Sequence, residues 1–165
     1  MDIGRTIMQN YFPRHRLDAG TFGTMGVGSA FALAAALLHP KKKIVAVQGD
    51  SAFGFSAMEM ETIGRYKLPI TFIIINNGGI YQGMGDLPED IDEALPTALS
   101  PDANYEMIAT AFGGKGYLVR TPAELRPALD DAMKQKDCPT VVNVLIAPDG
   151  ERKAQEFEWL TRSNL

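Results

Sequence analysis

The fold is decided by the stretch from Gly49 to Tyr81. It opens with Gly49-Asp50-Ser51-Ala52-Phe53-Gly54 and closes with Asn76-Asn77-Gly78-Gly79-Ile80-Tyr81. Apolar runs at residues 44–47 and 70–75 precede the two motifs. Both runs are short, β-branched and continuous, which is typical of strands buried on both faces of a parallel sheet. Residues 55–67 between them read as a helix, so the stretch predicts a βαβ unit.

Asp50 and Asn77 are therefore expected where two neighbouring strands end. Ligands of open parallel sheets bind beyond the carboxyl ends of the strands. A carboxylate and an amide oxygen there are hard ligands, and the adjacent glycines leave backbone open to a bulky anion. The pair predicts Mg²⁺ bridging to a phosphate. Taken singly, Asp50 would be an ordinary helix N-cap and Asn77 an ordinary turn residue; their joint position at strand ends favours the metal site.

A second motif is glycine-rich. Residues 20–28 read Gly-Thr-Phe-Gly-Thr-Met-Gly-Val-Gly and lead into an Ala- and Leu-rich helix at residues 29–38. Such a loop presents free N–H groups and a positive helix end to an anion. A dinucleotide-binding fold would need a long strand before the glycines. Residues 17–19 offer only a brief strand, so that alternative is disfavoured.

The remaining chain continues the alternation of strands and helices. Residues 78–100 form a long loop expected to lie over the site. Thr121-Pro122-Ala123-Glu124 carries an N-cap, an N1 proline and a capping-box glutamate, which predicts a helix to about residue 136. Further elements are predicted as a helix at 104–112 and strands at 117–119 and 140–146. The order predicts an α/β fold, a doubly wound parallel sheet with helices on both faces.

Composition limits the functional classes. The 165 residues suit one domain, with residues 1–147 as the ligand-binding domain and 148–165 as a charged tail. The tail and the loop at 78–100 are expected to be mobile in isolation. The net charge of −4 and the absence of a long basic run argue against nucleic acid. No apolar stretch reaches membrane-spanning length, and the start is not a signal peptide. Cys138 is the only cysteine, which fits a reducing compartment.

The two motifs resemble those of thiamine diphosphate (ThDP) enzymes. Gly49-Asp50-Ser51 followed by Asn76-Asn77 resembles their diphosphate and metal motif, with Ser51 where the Gly-Asp-Gly pattern has its second glycine. Gly23-Thr24-Met25-Gly26 resembles the segment that holds the aminopyrimidine ring, with Met25 as the apolar wedge that bends the cofactor; the alternative for Met25 is ordinary core. The resemblance implies the cofactors ThDP and Mg²⁺. The implied cofactor-binding residues are Gly23, Thr24, Met25, Gly49, Asp50, Ser51, Ala52, Asn77, Gly79, Ile80 and Tyr81, and the implied metal ligands are Asp50, Asn77 and the carbonyl of Gly79.

Further segments narrow the resemblance. With Ala111-Phe112-Gly113-Gly114-Lys115-Gly116-Tyr117 and Arg152-Lys153-Ala154-Gln155, the chain resembles the last third of the 2-hydroxyacyl-CoA lyases, relatives of the oxalyl-CoA decarboxylases. This implies cleavage of a 2-hydroxyacyl-CoA to formyl-CoA and an aldehyde. It also implies upstream pyrimidine-binding and middle domains that this chain lacks.

In that family the activating glutamate belongs to the pyrimidine-binding domain of a neighbouring subunit, so no catalytic residue is assigned in this chain, which alone would be inactive. Tyr81 and Arg152 are candidate contacts to the acyl-CoA substrate, and the full-length protein is expected to be a homodimer or homotetramer. Open alternatives are an oxalyl-CoA decarboxylase, an acetolactate-synthase-like enzyme and a non-catalytic Rossmann-like nucleotide module. Ser163-Asn164-Leu165 resembles a peroxisomal address, with the cytoplasm as the other location.

Overall fold

The computed structural model describes residues 2–84, 86 and 88–150. The helices are α1 (Asp2–Ile7), α2 (Val27–Leu38), α3 (Asp50–Gly54), α4 (Glu59–Arg65), α5 (Glu106–Ala111) and α6 (Pro122–Lys134), with a 3₁₀ turn at Ile91–Glu93. The strands are β1 (Val45–Gly49), β2 (Thr71–Asn76), β3 (Lys115–Val119) and β4 (Thr140–Leu145). Within the described part, no helix is long and apolar enough to cross a membrane.

The four strands form one parallel sheet in the order β1-β2-β4-β3. The chain moves from β1 past β2 to β3 and then returns to β4, so the direction of winding reverses once. Because βαβ connections are right-handed, that reversal places α6 on the opposite face from α3, α4 and α5. The predicted doubly wound sheet with helices on both faces is confirmed.

Two separate cores correspond to the two faces. The larger core packs α2, α3, α4 and α5 on the sheet and consists of Ala32, Ala36, Ala46, Phe53, Met60, Ile63, Ile70, Phe72, Ile74, Ala109 and Val141. The smaller core lies under α6 and consists of Val119, Ala132 and Val142, with partly buried Tyr117, Leu125, Ala128, Leu129 and Val144 around it. Phe53 of α3 belongs to the larger core, so the helix that begins where β1 ends is anchored in it.

The single helix predicted for residues 55–67 is wrong. The structure has α3, which starts at Asp50 itself, and α4, which starts at Glu59, with turns between them. Gly54 and Ser56 interrupt the run, and both residue types are weaker helix formers than alanine. Ser56 N–H bonds to the carbonyl of Phe53 at 3.0 Å, three residues back, which tightens the turn. Asp50 is therefore the first residue of a short helix of its own.

Strand β1 is not buried on both faces, as its continuous apolar run predicted. Val45 is 42% and Val47 38% exposed, whereas Ala46 and Gln48 are buried. The reason is that β1 pairs only with β2, and α6 covers β3 and β4 but not this edge. The brief strand predicted at residues 17–19 is also wrong, because this segment pairs with no strand of the described chain. Its Asp18 instead binds Arg5 and accepts the Gly20 N–H.

Candidate functional site

Asp50 lies where β1 passes directly into α3. Gly49 ends the strand and precedes the helix in an extended conformation, and Asp50 is only 1% exposed. One carboxylate oxygen, Oδ1, accepts the Ser51 N–H at 2.7 Å. The other, Oδ2, accepts the Gly79 N–H at 3.0 Å. The structure therefore brings Asp50 together with the turn after β2, as the strand-end argument predicts.

The Asp50 carboxylate is electrostatically unusual. Burial raises its pKa, and N–H groups of Ser51, Gly79, Gly78 and Asn77 act in the opposite direction. No ion pair found among the described residues involves Asp50. A buried carboxylate without a cation is costly, so this position favours a bound positive ion.

The remaining metal ligands would have to be oxygens of amides or carbonyls. In the described part of the chain, no group of three or more His, Cys, Asp and Glu side chains could hold a metal ion. Asn77 comes directly after β2, and its Nδ2 group donates to the Tyr81 carbonyl at 3.1 Å. That bond occupies the nitrogen end of the amide and leaves its oxygen as the end suited to a cation. The donor set is the hard, oxygen-only kind that suits Mg²⁺.

Tyr81 ends the same turn in a strained conformation. Its φ of 69° lies in the left-handed region, which is unusual for a bulky side chain, and the residue is 81% exposed. Strain of this type persists only where surrounding contacts impose it and clusters at functional sites. The bond from Asn77 to the Tyr81 carbonyl is one such contact.

The glycine-rich loop reaches the same place. The Met25 sulfur lies 3.9 Å from Ser51 Oγ, at the start of α3. Gly26 precedes α2 with a φ of 87°, and a Cβ atom there would lie 2.9 Å from the Cβ of Phe55. Met25 is 38% exposed in this chain, so the alternative that it is a core residue is wrong. Gly23 and Thr24, which precede it, are exposed.

The other predicted cofactor contacts lie around this point. Ser51 and Ala52 form the first turn of α3, where the helix dipole favours an anion. Gly79 is buried and Ile80 is half-buried. Arg152, the second candidate substrate contact, lies outside the described residues, as do the C-terminal tripeptide and the tail from residue 151 onward.

The long loop leaves and returns at the site. Ile80 N–H bonds to the Thr97 carbonyl at 2.9 Å, and Leu99 N–H bonds to the Gly78 carbonyl at 2.8 Å. Gly83 N–H bonds to the Pro148 carbonyl at 2.9 Å. Both ends of the loop are thus fixed beside the turn after β2, which is the position that a lid over the site would need.

Two residues of the site were missed by sequence reasoning. Asn76 was treated only as the neighbour of Asn77, yet its Oδ1 accepts the Gly78 N–H at 3.1 Å. Gly83 lies in the long loop, and a side chain there would overlap the Asn77 carbonyl. The only signal for Asn76 in the sequence was its position at the end of an apolar run, which suggests a strand residue whose side chain is buried. The second had no local signal, because the contact depends on how the loop folds back.

The sheet is doubly wound, and a buried carboxylate, the turn with Asn77 and the glycine-rich loop meet at the carboxyl ends of its strands. This arrangement is typical of an α/β cofactor-binding domain. Residues 2–144 match the family "Thiamine pyrophosphate enzyme, C-terminal TPP binding domain", and the chain belongs to that family. It is therefore a thiamine-diphosphate-binding domain, and this assignment replaces the alternative of a Rossmann-like nucleotide module.

Individual relatives are consistent with this. Over its whole length the chain is 53% identical to 2-hydroxyacyl-CoA lyase 1 of Mus musculus, of which it covers 30%. Over 90% of its length it is 47% identical to oxalyl-CoA decarboxylase of Escherichia coli K12, of which it covers 26%. Among solved structures, a thiamine diphosphate-dependent 4-hydroxybenzoylformate decarboxylase of Rhodococcus jostii RHA1 matches 78% of the chain and 24% of its own, with a TM-score of 0.63 and 25% identity. The chain thus spans about 30% of the length of the curated relatives it matches.

Proposed function

We propose that this chain is the cofactor-binding domain of a Mg²⁺-dependent carbon–carbon lyase that cleaves a 2-hydroxyacyl-CoA to formyl-CoA and an aldehyde. The metal assignment rests on the Asp50 carboxylate, which is buried at the end of β1 and accepts hydrogen bonds from the Ser51 and Gly79 N–H groups. The support for the lyase is the 53% identity to the mouse enzyme over the entire chain.

Different residues of the chain would bind different parts of the cofactor. The Asp50 carboxylate, the Asn77 amide oxygen and the Gly79 carbonyl would hold Mg²⁺, which offsets the cost of burying the carboxylate. Gly49, the Ser51 hydroxyl and the Ala52 N–H group would face the diphosphate. When bound, ThDP supplies the electron sink for carbon–carbon cleavage.

The ring end of the cofactor would lie against the glycine loop. Gly23 and Thr24 offer backbone beside the aminopyrimidine, and Met25 offers a flexible thioether that can fill an irregular gap. Ile80 and Tyr81 would close the opposite side. Tyr81, together with Arg152 of the tail, would contact the acyl-CoA thioester.

A partner domain would complete the site. Phe22 is 97%, Phe55 68% and Met58 69% exposed, around the glycine loop and the turns after α3. Large apolar side chains grouped beside a polar site are typical of an interaction surface. We propose that the pyrimidine-binding domain of a neighbouring subunit covers them and supplies the activating glutamate, in a homodimer or homotetramer.

Calorimetry on the 165-residue chain tests the cofactor assignment. Titrating ThDP should give binding heat with Mg²⁺ present and none in EDTA, and NAD should give none under either condition. Asp50→Ala should abolish the Mg²⁺-dependent binding, while Asp137→Ala, an exposed position before β4, should bind like the unchanged chain. Equal ThDP affinity in Asp50→Ala, or indifference to EDTA, would show that Asp50 holds no metal.

Substrate trials test the reaction. The full-length enzyme containing this domain should release formyl-CoA from 2-hydroxyacyl-CoA, and oxalyl-CoA turnover instead would favour the decarboxylase, the alternative supported by 47% identity. Pyruvate condensation would favour an acetolactate-synthase-like enzyme. The 165-residue chain alone should release no formyl-CoA, because the glutamate-bearing domain is absent from it.

The location is proposed from the tripeptide Ser163-Asn164-Leu165. A fluorescent protein carrying this tail should collect in peroxisomes, and removing the final Leu165 should return it to the cytoplasm. Cytoplasmic fluorescence of the intact fusion would contradict the peroxisomal assignment.

A further inference from the structure

Two asparagines lie side by side inside the sheet beneath the candidate site. Asn76 at the end of β2 is 2% exposed, and Asn143 in the middle of β4 is 0% exposed. In the parallel register Ile74 pairs with Asn143 and Asn76 with Leu145, so the two amides are diagonal neighbours on one face. Burying an amide in a core is costly unless its polar atoms are bonded, so such a pair needs a reason other than packing.

The two amides form a connected chain of hydrogen bonds. Asn143 Nδ2 donates to the Ala103 carbonyl and to Glu106 Oε2, each at 2.8 Å. Asn143 Oδ1 accepts from Asn76 Nδ2 at 3.2 Å, and the same nitrogen donates to the Ala103 carbonyl at 3.1 Å. Asn76 Oδ1 then accepts the Gly78 N–H at 3.1 Å. The chain of bonds runs from α5 through β4 and β2 to the turn after β2.

The orientation of both amides is set by partners that cannot reverse their roles. Gly78 N–H can only donate, so it requires the oxygen of Asn76. The Ala103 carbonyl can only accept, so it requires the nitrogen of each asparagine. Turning either amide over would oppose donor to donor and acceptor to acceptor. The network therefore specifies one arrangement.

That arrangement ends next to the proposed metal ligands. Gly78 has a φ of 70°, and its neighbour Gly79 donates to Asp50 Oδ2. Fixing the Gly78 N–H therefore orients the peptide groups of residues 77–79, which include two of the three proposed metal ligands. We propose that Asn143, acting through Asn76, is a positioning residue for this 77–79 turn. The role of the turn rests on the proposed function, whereas the coupling of Asn143 to Gly78 does not.

The test uses Asn143→Leu, which keeps the number and branching of the side-chain heavy atoms but removes the amide. The matched control is Thr140→Val, on the same strand, also 0% exposed, and bonded to Thr71 Oγ1 at 3.0 Å at the far end of the sheet. Amide hydrogen exchange of Gly78 and Gly79, measured by NMR on the ligand-free 165-residue chain, is the first readout. Asn143→Leu should exchange at Gly78 about tenfold faster than the unchanged chain, a change on the scale of one lost buried hydrogen bond. Thr140→Val should leave Gly78 unchanged.

The second readout is the dissociation constant for Mg²⁺ and ThDP, which should rise at least about tenfold in Asn143→Leu and stay constant in Thr140→Val. Slow Gly78 exchange in folded Asn143→Leu, or equal acceleration by Thr140→Val, would overturn the proposal. Unchanged affinity with accelerated Gly78 exchange would overturn the positioning role while retaining the network. Absence of ThDP binding by the unchanged chain would contradict the proposed function, and Gly78 exchange would still decide the coupling.

A milder pair of variants keeps the test available if Asn143→Leu fails to fold. Glu106 is partly exposed, so Glu106→Ala removes the outer acceptor of the network at a tolerant position. Gly78 exchange should accelerate in Glu106→Ala and return toward the original rate in Glu106→Gln, whose amide oxygen can accept the same bond. Equal Gly78 exchange in both variants and the unchanged chain would also overturn the coupling.

Discussion

Gly83 is the residue of the long loop that most directly constrains the candidate metal site. A Cβ atom built on it would overlap the Asn77 carbonyl oxygen and lie 2.8 Å from the Gly78 carbonyl carbon. Ordinary van der Waals contact begins at 3.4 Å, so more than half an ångström of movement is required. The obstructing atoms are backbone, which cannot rotate out of the way as a side-chain end can. Gly83→Ala should therefore displace the 77–79 turn or the loop itself.

The size of the effect depends on how far the backbone can yield. Overpacking by one methyl group costs about 1–3 kcal/mol. For a domain of this length each 1 kcal/mol lowers Tm by about 2–4 °C, so Gly83→Ala should lower Tm by about 2–12 °C. Metal sites tolerate ligand shifts of only about 0.2 Å, so the required displacement should weaken Mg²⁺-dependent ThDP binding by at least about tenfold.

The assay pairs thermal unfolding with calorimetric titration of ThDP in Mg²⁺. The matched control is Gly54→Ala, because no heavy atom lies within 4 Å of a Cβ at the end of α3. Replacing that helical glycine should raise the free energy of unfolding by about 0.5–1 kcal/mol and leave binding unchanged. Gly83→Ala with the Tm and the ThDP affinity of the unchanged chain would refute the close approach of the loop to the 77–79 turn.

Two further predictions concern other parts of the chain. Gly49→Ala should leave Tm unchanged or slightly higher, because no heavy atom lies within 4 Å of its Cβ position. Calorimetry should nevertheless show weaker ThDP binding, because the diphosphate is expected to approach the backbone there. Unchanged ThDP affinity would show that Gly49 is not part of the site. The Arg5 side chain, which bonds to Asp18 at 3.0 Å, lowers the pKa of that carboxyl from its usual 3.8, so the pair stabilises the fold at neutral pH and loses this effect as pH falls through the lowered pKa. Urea unfolding should therefore show that Asp18→Asn is less stable than the unchanged chain at pH 7, by at most about 1 kcal/mol because the pair is partly exposed. This difference in stability should vanish at strongly acid pH. A difference that grows on acidification would contradict the stabilising role of the pair.

Much of the fold could be predicted because its signals are local. The capping box at Thr121 and Glu124 correctly placed the start of α6, where Glu124 Oε2 accepts the Thr121 N–H at 3.3 Å. The apolar run before Asn76 correctly placed β2, which is buried on one face by the larger core. The strand-end rule then brought Asp50 and the 77–79 turn together without any long-range information. The ligand roles of these residues stay predictions.

The features that could not be predicted depend on contacts between distant segments. A continuous apolar run does not reveal whether a strand lies at the edge of a sheet, so the exposure of Val45 and Val47 was missed. The predicted helix is divided at Gly54 and Ser56, and Phe53 before them packs against Phe72 from the next strand, with ring centroids 5.9 Å apart. Asn143 reads as an ordinary strand residue in sequence, because its partners Ala103 and Glu106 lie 40 and 37 positions earlier in the chain.

Burial of the Asp50 carboxylate lowers the stability of the ligand-free fold at neutral pH and favours the binding of a cation. Because burial raises the pKa of Asp50, the ligand-free fold is more favourable with this carboxyl protonated, and the advantage is lost as pH rises through the raised pKa. The bonds from Ser51 and Gly79 N–H limit that loss but do not supply a positive charge. A divalent cation would supply it, and would stabilise the folded chain by binding only the folded state. Asp50 is held by backbone groups and forms no ion pair with a cationic side chain in the described chain, so a cation bound there would stabilise the fold.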